Sequence, residues 1–243
     1  MKKLPVTLAA LAVMASGAMA QDVVRIGTEG AYPPWNFINE ANEVVGFEID
    51  LGNEICARAD LTCEWVLNDW DTIIPNLVSG NYDVIMAGMS ITEARSQVIS
   101  FTTNYLPSDP SAYMALDGTD VSVIDSGVIA VQSNTVQAGL VADSTADALE
   151  FPTPDETISA VRNGEADAVL ADKNFLQAYV DDSAGELAFI GDDFYPGEGT
   201  GAGIRQSDNE LRETFTRVID EMKEDGSLND LIETWFGDGI AKF

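Results

Sequence analysis

Short apolar runs that suit strands alternate with segments of helical periodicity along this chain, in two successive sets. That alternation is the tightest constraint on the fold, because it specifies layers of parallel strands joined by crossover helices. In the first set Val23 to Gly27 predicts a strand, and residues 28–37, TEGAYPPWNF, its exit loop, which Pro33 and Pro34 keep out of regular structure. Apolar residues at Phe47, Ile49, Leu51, Ile55 and Ala59 predict an amphipathic helix, and CEWVL from Cys63 a strand. Trp70 to Val78 predicts a short helix ending at Gly80, and residues 82–87, YDVIMA, another strand.

Pro107 and Pro110 bracket a segment suited to crossing between lobes. The second set then runs as a strand at 127–132, a helix after Asn134 and Thr135, a strand near Phe151, a helix at 156–164, a strand at 166–172 and a helix at 173–180. Residues 207–210, SDNE, form a capping-box pattern before a long helix that stops at Gly226, and SLNDLIETWFG makes a last helix. The strand GAGIR at 201–205 needs a sheet to join, which a return to the first lobe provides. No strict repeat links the two sets, so the pattern predicts two α/β lobes.

Residues 1–20 carry the three parts of a secretory signal: Lys2 and Lys3, an apolar stretch, and the small-residue ending Ala18-Met19-Ala20. Gln21 follows the expected cut where a lipid anchor would need Cys, and no later window approaches the roughly 18 to 20 apolar residues of a span. The expectation is an exported, soluble, periplasmic protein. Without Lys2 and Lys3 the chain sets 10 cations against 41 acids, which excludes nucleic acid as a partner. Such acidity speaks to solubility and a saline habitat.

In an exported chain Cys56 and Cys63 are expected as a disulfide, with two buried thiols as the alternative. With no histidine, a metal site is poorly supported, and Ser-His-Asp or Cys-His chemistry is excluded. Carboxylate or lysine catalysis stays open.

Polar and aromatic groups cluster where strands end: Glu29 and Tyr32, Ser90, Asn134 and Thr135, and Asp172. Open α/β sheets bind ligands there, and two facing sheets would share one cleft. Arg95 follows Ser90 and Thr92 at a helix start, where free N–H groups and a guanidinium suit a carboxylate; composition alone favours a surface ion pair with Glu93 or another acid. Asp172 could accept from an ammonium or cap the helix that follows it. Tyr32 and Trp70 are core aromatics or the walls of a slot for a flat or cationic group beside Glu29, which alone reads as a surface acid. Trp70, between Asp69 and Asp71, is expected half buried.

Taken together, TEGAYPPWNF, GFEIDLGNEICARADLTCEW, DWDTIIPNL, YDVIMAGMSITEARSQVISFT, VRNGEADAVLAD and GAGIRQSDNELR resemble the periplasmic amino-acid-binding proteins of ABC importers, particularly the histidine and lysine/arginine/ornithine group. The resemblance implies the type II two-lobe periplasmic binding protein fold, with residues 21–108 and 196–243 in lobe 1 and 109–195 in lobe 2. It also implies a monomer without a cofactor, outside the membrane, that closes on an amino acid and delivers it to an inner-membrane ABC permease. By position, Arg95 would bind the ligand α-carboxylate with the main-chain N–H groups of Ser90 and Thr135. Asp172 would bind the α-ammonium beside the Gly88 carbonyl and Ser90 hydroxyl. Glu29 would meet a distal cation, Tyr32 and Trp70 would stack on the side chain, Asn134 would line the site, and Cys56 and Cys63 would be the family's disulfide. Arginine leads as ligand, then lysine, histidine and glutamine. Some relatives on the same scaffold are cyclohexadienyl dehydratases acting on prephenate or arogenate, so an enzyme is the alternative, with Glu29 or Asp172 as its acid.

Overall fold

A computed structural model describes residues 23–237 and 239–243, so the signal-like segment 1–20 and Gln21 lie outside the described residues. The chain enters with β1 (Val24–Thr28), in which every residue but Arg25 is buried. β2 (Ala31–Tyr32), β3 (Asn36–Ile38) and β4 (Val44–Val45) then form a small antiparallel sheet, the first two of them in the stretch around residues 28–37 that the sequence predicts as an irregular loop. Pro33 and Pro34 occupy the turn between β2 and β3, where no ladder donor is required, so the residues on either side still pair.

α1 (Phe47–Arg58) buries Phe47, Ile49, Leu51 and Ile55, and Cys56 near its end is disulfide-bonded to Cys63, the first residue of β5 (Cys63–Leu67). The bond ties the helix to the strand that follows it. Trp70 opens a 3-10 turn, Trp70–Thr72, that leads into α2 (Ile73–Val78) and β6 (Val84–Ile85). The predicted helix and strand are therefore both present but shorter than expected. α3 (Glu93–Ser96) and β7 (Ser100–Phe101) complete this part of the chain.

The second set consists of β8 (Ser111–Leu116), α4 (Val123–Ser126), β9 (Val128–Gln132), α5 (Val136–Ala142), β10 (Asp147–Phe151), α6 (Pro154–Arg162), β11 (Ala168–Asp172), α7 (Lys173–Asp182) and β12 (Leu187–Phe194). The chain then lays down β13 (Gly203–Ile204), α8 (Asn209–Glu224) and α9 (Ser227–Phe236).

The two five-stranded sheets share one plan. The first has the order β5-β1-β6-β13-β7 and the second β10-β9-β11-β8-β12. In each, the first three strands are parallel, the fourth is antiparallel to the third, and the fifth is antiparallel to the fourth. The fourth strand is in each case laid down just after the chain changes sheets: β8 follows the segment that Pro107 and Pro110 bracket, and β13 returns to pair with β6. GAGIR thus finds its sheet where the sequence placed it.

One expected cap is absent. Asp208 holds the N-cap position of α8, but no side-chain bond caps the helix; its carboxylate pairs with Arg205 at 2.5 Å and accepts from Ser207 Oγ at 2.6 Å. The SDNE box fails because α8 starts at Asn209 with Asp208 at the cap position, so the Ser207 hydroxyl is spent on Asp208 and Glu210 stands one residue too early to return to the cap. A reciprocal cap forms instead at α6, where Glu156 accepts from the Thr153 N–H at 3.1 Å and Pro154 sets the first turn, so the helix starts two residues before the predicted 156. No helix among the described residues is long and apolar enough to cross a membrane.

Candidate functional site

Parallel strands deliver the site. Glu29 directly follows β1, Gly88 and Ser90 follow β6, Thr135 follows β9, and Asp172 is the last residue of β11. These carboxyl ends converge on one cavity. Its walls include Glu29, Tyr32, Trp70, Gly88, Ser90, Arg95, Thr135 and Asp172. Of the residues singled out in the sequence, Asn134 stands outside, in a neighbouring groove beside Trp70, Asp71 and Arg95.

At one end of the cavity lies Arg95. Thr92 caps α3, its Oγ1 accepting from the Arg95 N–H, and so fixes the residue that carries the guanidinium. Nη1 donates to the Ser90 carbonyl at 2.9 Å, Nη2 to the Asn134 carbonyl at 3.3 Å, and the guanidinium lies 5.3 Å from the Trp70 ring centroid. Among the described residues the surface ion pair that composition favoured is not formed: carbonyls and an indole are the partners of Arg95. Burial lowers the Arg95 pKa to about 10, against the pull of Asp172, and leaves the group charged at neutrality. Among the described residues the main-chain N–H groups of Ser90 and Thr135 donate to no protein acceptor. Thr135 is the N-cap of α5, its Oγ1 accepting from the Ala138 N–H at 3.0 Å. A cation, two amides without a protein acceptor and a helix start are chemically suited to an anion.

Asp172 sits beside it. Although it holds the N-cap position of α7, its side chain does not cap that helix. Tyr32 Oη donates to Oδ2 at 2.9 Å, Gln137 Nε2 to Oδ1 at 3.0 Å and Ser111 Oγ to Oδ1 at 3.3 Å. Burial pushes the Asp172 pKa up, while these donors and the Arg95 charge pull it down. The carboxylate is aligned by neutral donors that leave its charge uncompensated, which suits a ligand cation. The Tyr32 ring stacks on Phe175 at 4.3 Å and 10°, so one of its faces is already covered.

Glu29 marks another wall. Gln132, the last residue of β9, donates to Glu29 Oε1 at 2.7 Å and to the Pro152 carbonyl at 3.1 Å. Burial raises the Glu29 pKa to about 7; the Gln132 bond opposes this, and the charges of Asp69, Asp71 and Asp155 add to it. This wall is electronegative with a single neutral donor. Trp70 is 8% exposed, more deeply placed than the half-buried ring expected, because α2 folds its flank against Ile73, Leu77 and Tyr82. Its indole N–H has no protein partner among the described residues.

Sequence reasoning missed a buried carboxylate beneath the site. Glu48, flanked by Phe47 and Ile49 in the first turn of α1, is 0% exposed. It accepts from Asn36 Nδ2 at 2.8 Å, from the Gly88 N–H at 2.8 and 2.9 Å, and from the Tyr105 hydroxyl. Asn36 in turn accepts from the Gly30 N–H at 2.7 Å, so one side chain ties together the loops that carry Glu29 and Ser90. Gly88 has a φ of 62°, a left-handed backbone that any residue with a Cβ adopts only at a cost. Gln132, Gln137 and Ser111 were also missed; their signal is a polar residue at the end of, or inside, an otherwise apolar element, and all three are buried. Among the described residues no group of three or more His, Cys, Asp or Glu is placed to hold a metal ion.

Residues 24–238 match the family model described as bacterial extracellular solute-binding proteins, family 3. The chain belongs to that family. Among the relatives of this solute-binding protein, the lysine/arginine/ornithine-binding periplasmic protein of Escherichia coli K12 is 33% identical over 237 residues, covering 91% of this chain and 90% of the relative. The histidine-binding periplasmic protein of Salmonella typhimurium LT2 is 32% identical over 254 residues, covering 97% of each. A crystal structure of a periplasmic His/Glu/Gln/Arg/opine family-binding protein from Silicibacter pomeroyi, in complex with lysine, superposes with a TM-score of 0.87 at 60% identity, covering 90% of this chain and 100% of that one. The two sheets are thus the two lobes of the type II periplasmic binding protein fold, and the cavity lies between their strand ends.

Proposed function

We propose that this solute-binding protein captures a polar or basic L-amino acid in the periplasm and passes it to an inner-membrane ABC permease. The observation that carries the reading is the charge pattern of one cavity: Arg95 with two free amides, Asp172 beside it, and Glu29 on a further wall. Arg95, Ser90 and Thr135 would hold the α-carboxylate, while Asp172, with the Gly88 carbonyl and Ser90 hydroxyl, would hold the α-ammonium. Glu29 would meet the distal cation, with Tyr32 and Trp70 packing on the side chain. A relative bound to lysine at 60% identity and relatives named for lysine, arginine, ornithine and histidine support a basic ligand. Arginine, whose planar guanidinium can stack and pair at once, and lysine stand ahead of histidine and glutamine.

The lobe boundaries that fit this function are 21–108 with 196–243, and 109–195, so that two strands of chain cross between lobes and act as the hinge of a protein working as a monomer. A thermal-shift screen of the twenty amino acids tests the proposal. Arginine or lysine should give the largest rise in unfolding temperature, and stabilisation by neutral amino acids alone would refute the basic-ligand reading. The dehydratase alternative draws on one observation, a Glu29 that is protonated near neutrality as a general acid must be. Incubation with prephenate, followed by ultraviolet absorbance for an aromatic product, decides between them.

A further inference from the structure

Asn134 reaches across the cleft without lining the cavity. It sits in the turn between β9 and α5 with a φ of 59°, a left-handed backbone that Asn tolerates better than most residues. Its Nδ2 donates to Asp71 Oδ1 at 3.0 Å, and its carbonyl accepts from Arg95 Nη2 at 3.3 Å. Asp71 lies in the 3-10 turn that follows β5 of the first sheet, while Asn134 follows β9 of the second. Both line the groove beside the cavity. The bond between their side chains forms only when the lobes meet, and neither side chain lines the ligand's place.

We propose that Asp71 and Asn134 form a clasp that holds the lobes together and scales the affinity for every ligand by the same factor, taking no part in the choice among ligands. The clasp rests on the amino-acid-receptor reading above. A ligand gripped from both lobes binds tightly only when they are closed, so its apparent affinity is the intrinsic affinity multiplied by the closed fraction. The clasp raises that fraction, and its loss emerges as faster release. A carboxylate acceptor makes the bond stronger than one between neutral groups, and its partial exposure to water keeps the effect modest.

Asn134→Gly deletes the side chain and keeps the left-handed backbone. Asp71→Ala deletes the acceptor, and because Asp71 also adds negative charge near Glu29, Asn134→Gly is measured in both the wild-type and the Asp71→Ala backgrounds. Lysine and arginine are titrated calorimetrically, and their dissociation is followed by stopped flow. In the wild-type background Asn134→Gly should weaken both ligands by the same factor, about three- to tenfold, mainly through faster dissociation. In the Asp71→Ala background it should change neither. The clasp is overturned by an Asn134→Gly protein with unchanged affinities, by a shift in the lysine-to-arginine ratio, or by an equal loss in both backgrounds. A wild-type protein that binds no amino acid refutes the receptor reading and the clasp together; one that binds, with variants that behave as wild type, refutes the clasp alone.

Discussion

The Tyr32 hydroxyl donates to Asp172 Oδ2 at 2.9 Å across 140 positions of sequence, joining the end of β2 in the small sheet to the end of β11 in the second five-stranded sheet. The same hydroxyl accepts from the Asp172 N–H at 3.3 Å. Burial and the neighbouring Asp172 charge hold the Tyr32 pKa well above that of a free phenol, so the hydroxyl stays a donor throughout the physiological range. Tyr32→Phe keeps the stack on Phe175 and removes one donor from a partly buried carboxylate. Lysine or arginine binding should weaken by about 1 to 2 kcal/mol, a five- to thirtyfold rise in Kd by titration calorimetry, because the lost bond ends on a charged group. An unchanged Kd would show that the contact plays no part in the liganded state.

Arg95→Ala should cost about 2 to 5 kcal/mol of binding energy, since it leaves the ligand carboxylate desolvated without its cation. Arg95→Lys should recover only part of this, because an ammonium cannot form the two-pronged contact. Equal affinity of Arg95→Ala and wild type for the best amino acid would remove Arg95 from the carboxylate site.

The raised pKa of Glu29, about 7, makes cation binding depend on pH. A basic ligand prefers the ionised carboxyl, so affinity should rise with pH by up to about tenfold per unit below 7 and level off above it. Ligand-free stability runs the other way. The folded state holds this proton more tightly than the unfolded chain, so the stabilising contribution is complete below the ordinary carboxylate value and is lost as pH rises towards 7. Glu29→Gln should flatten the affinity profile between pH 5.5 and 8 in calorimetric titrations, with weaker binding of lysine and arginine at the upper end; a slope that survives the substitution would place the titrating group elsewhere.

Glu48→Gln should destabilise the protein by about 1 to 3 kcal/mol, because an amide nitrogen would face a backbone N–H or a second amide donor in a dry network. In a chain of this size that lowers the unfolding temperature by roughly 2 to 4 °C per kcal/mol. Glu48 also orders the Gly88 and Gly30 loops, so ligand affinity should fall together with stability. Chemical denaturation and calorimetry on the same sample check both, and an unaltered midpoint would contradict the network.

The family fold and most of the cavity wall were legible because the relevant signals are local. Apolar periodicity gave α1, β5, β9 and β11 to within a residue or two, and a strand's carboxyl end is a position that sequence alone marks. Short elements were harder. β2 and β3 are two and three residues long, and their ladder bonds outweighed the prolines between them. SDNE matched a capping box, but the helix starts one residue later than that box needs, with Asp208 at the cap position and paired to Arg205.

Local chemistry determined which groups this protein carries to its strand ends: a scarce arginine, acids at 29 and 172, aromatics at 32 and 70. Tertiary structure alone decided their partners. Glu48 reads as one acid among 41 until the fold buries it under Gly88, and Asn134 reads as a cleft residue until the lobes meet and direct it to Asp71. Hydrogen bonds and desolvation act over a few ångströms in space, and no spacing along the chain fixes which residues 63 or 140 positions apart will share them.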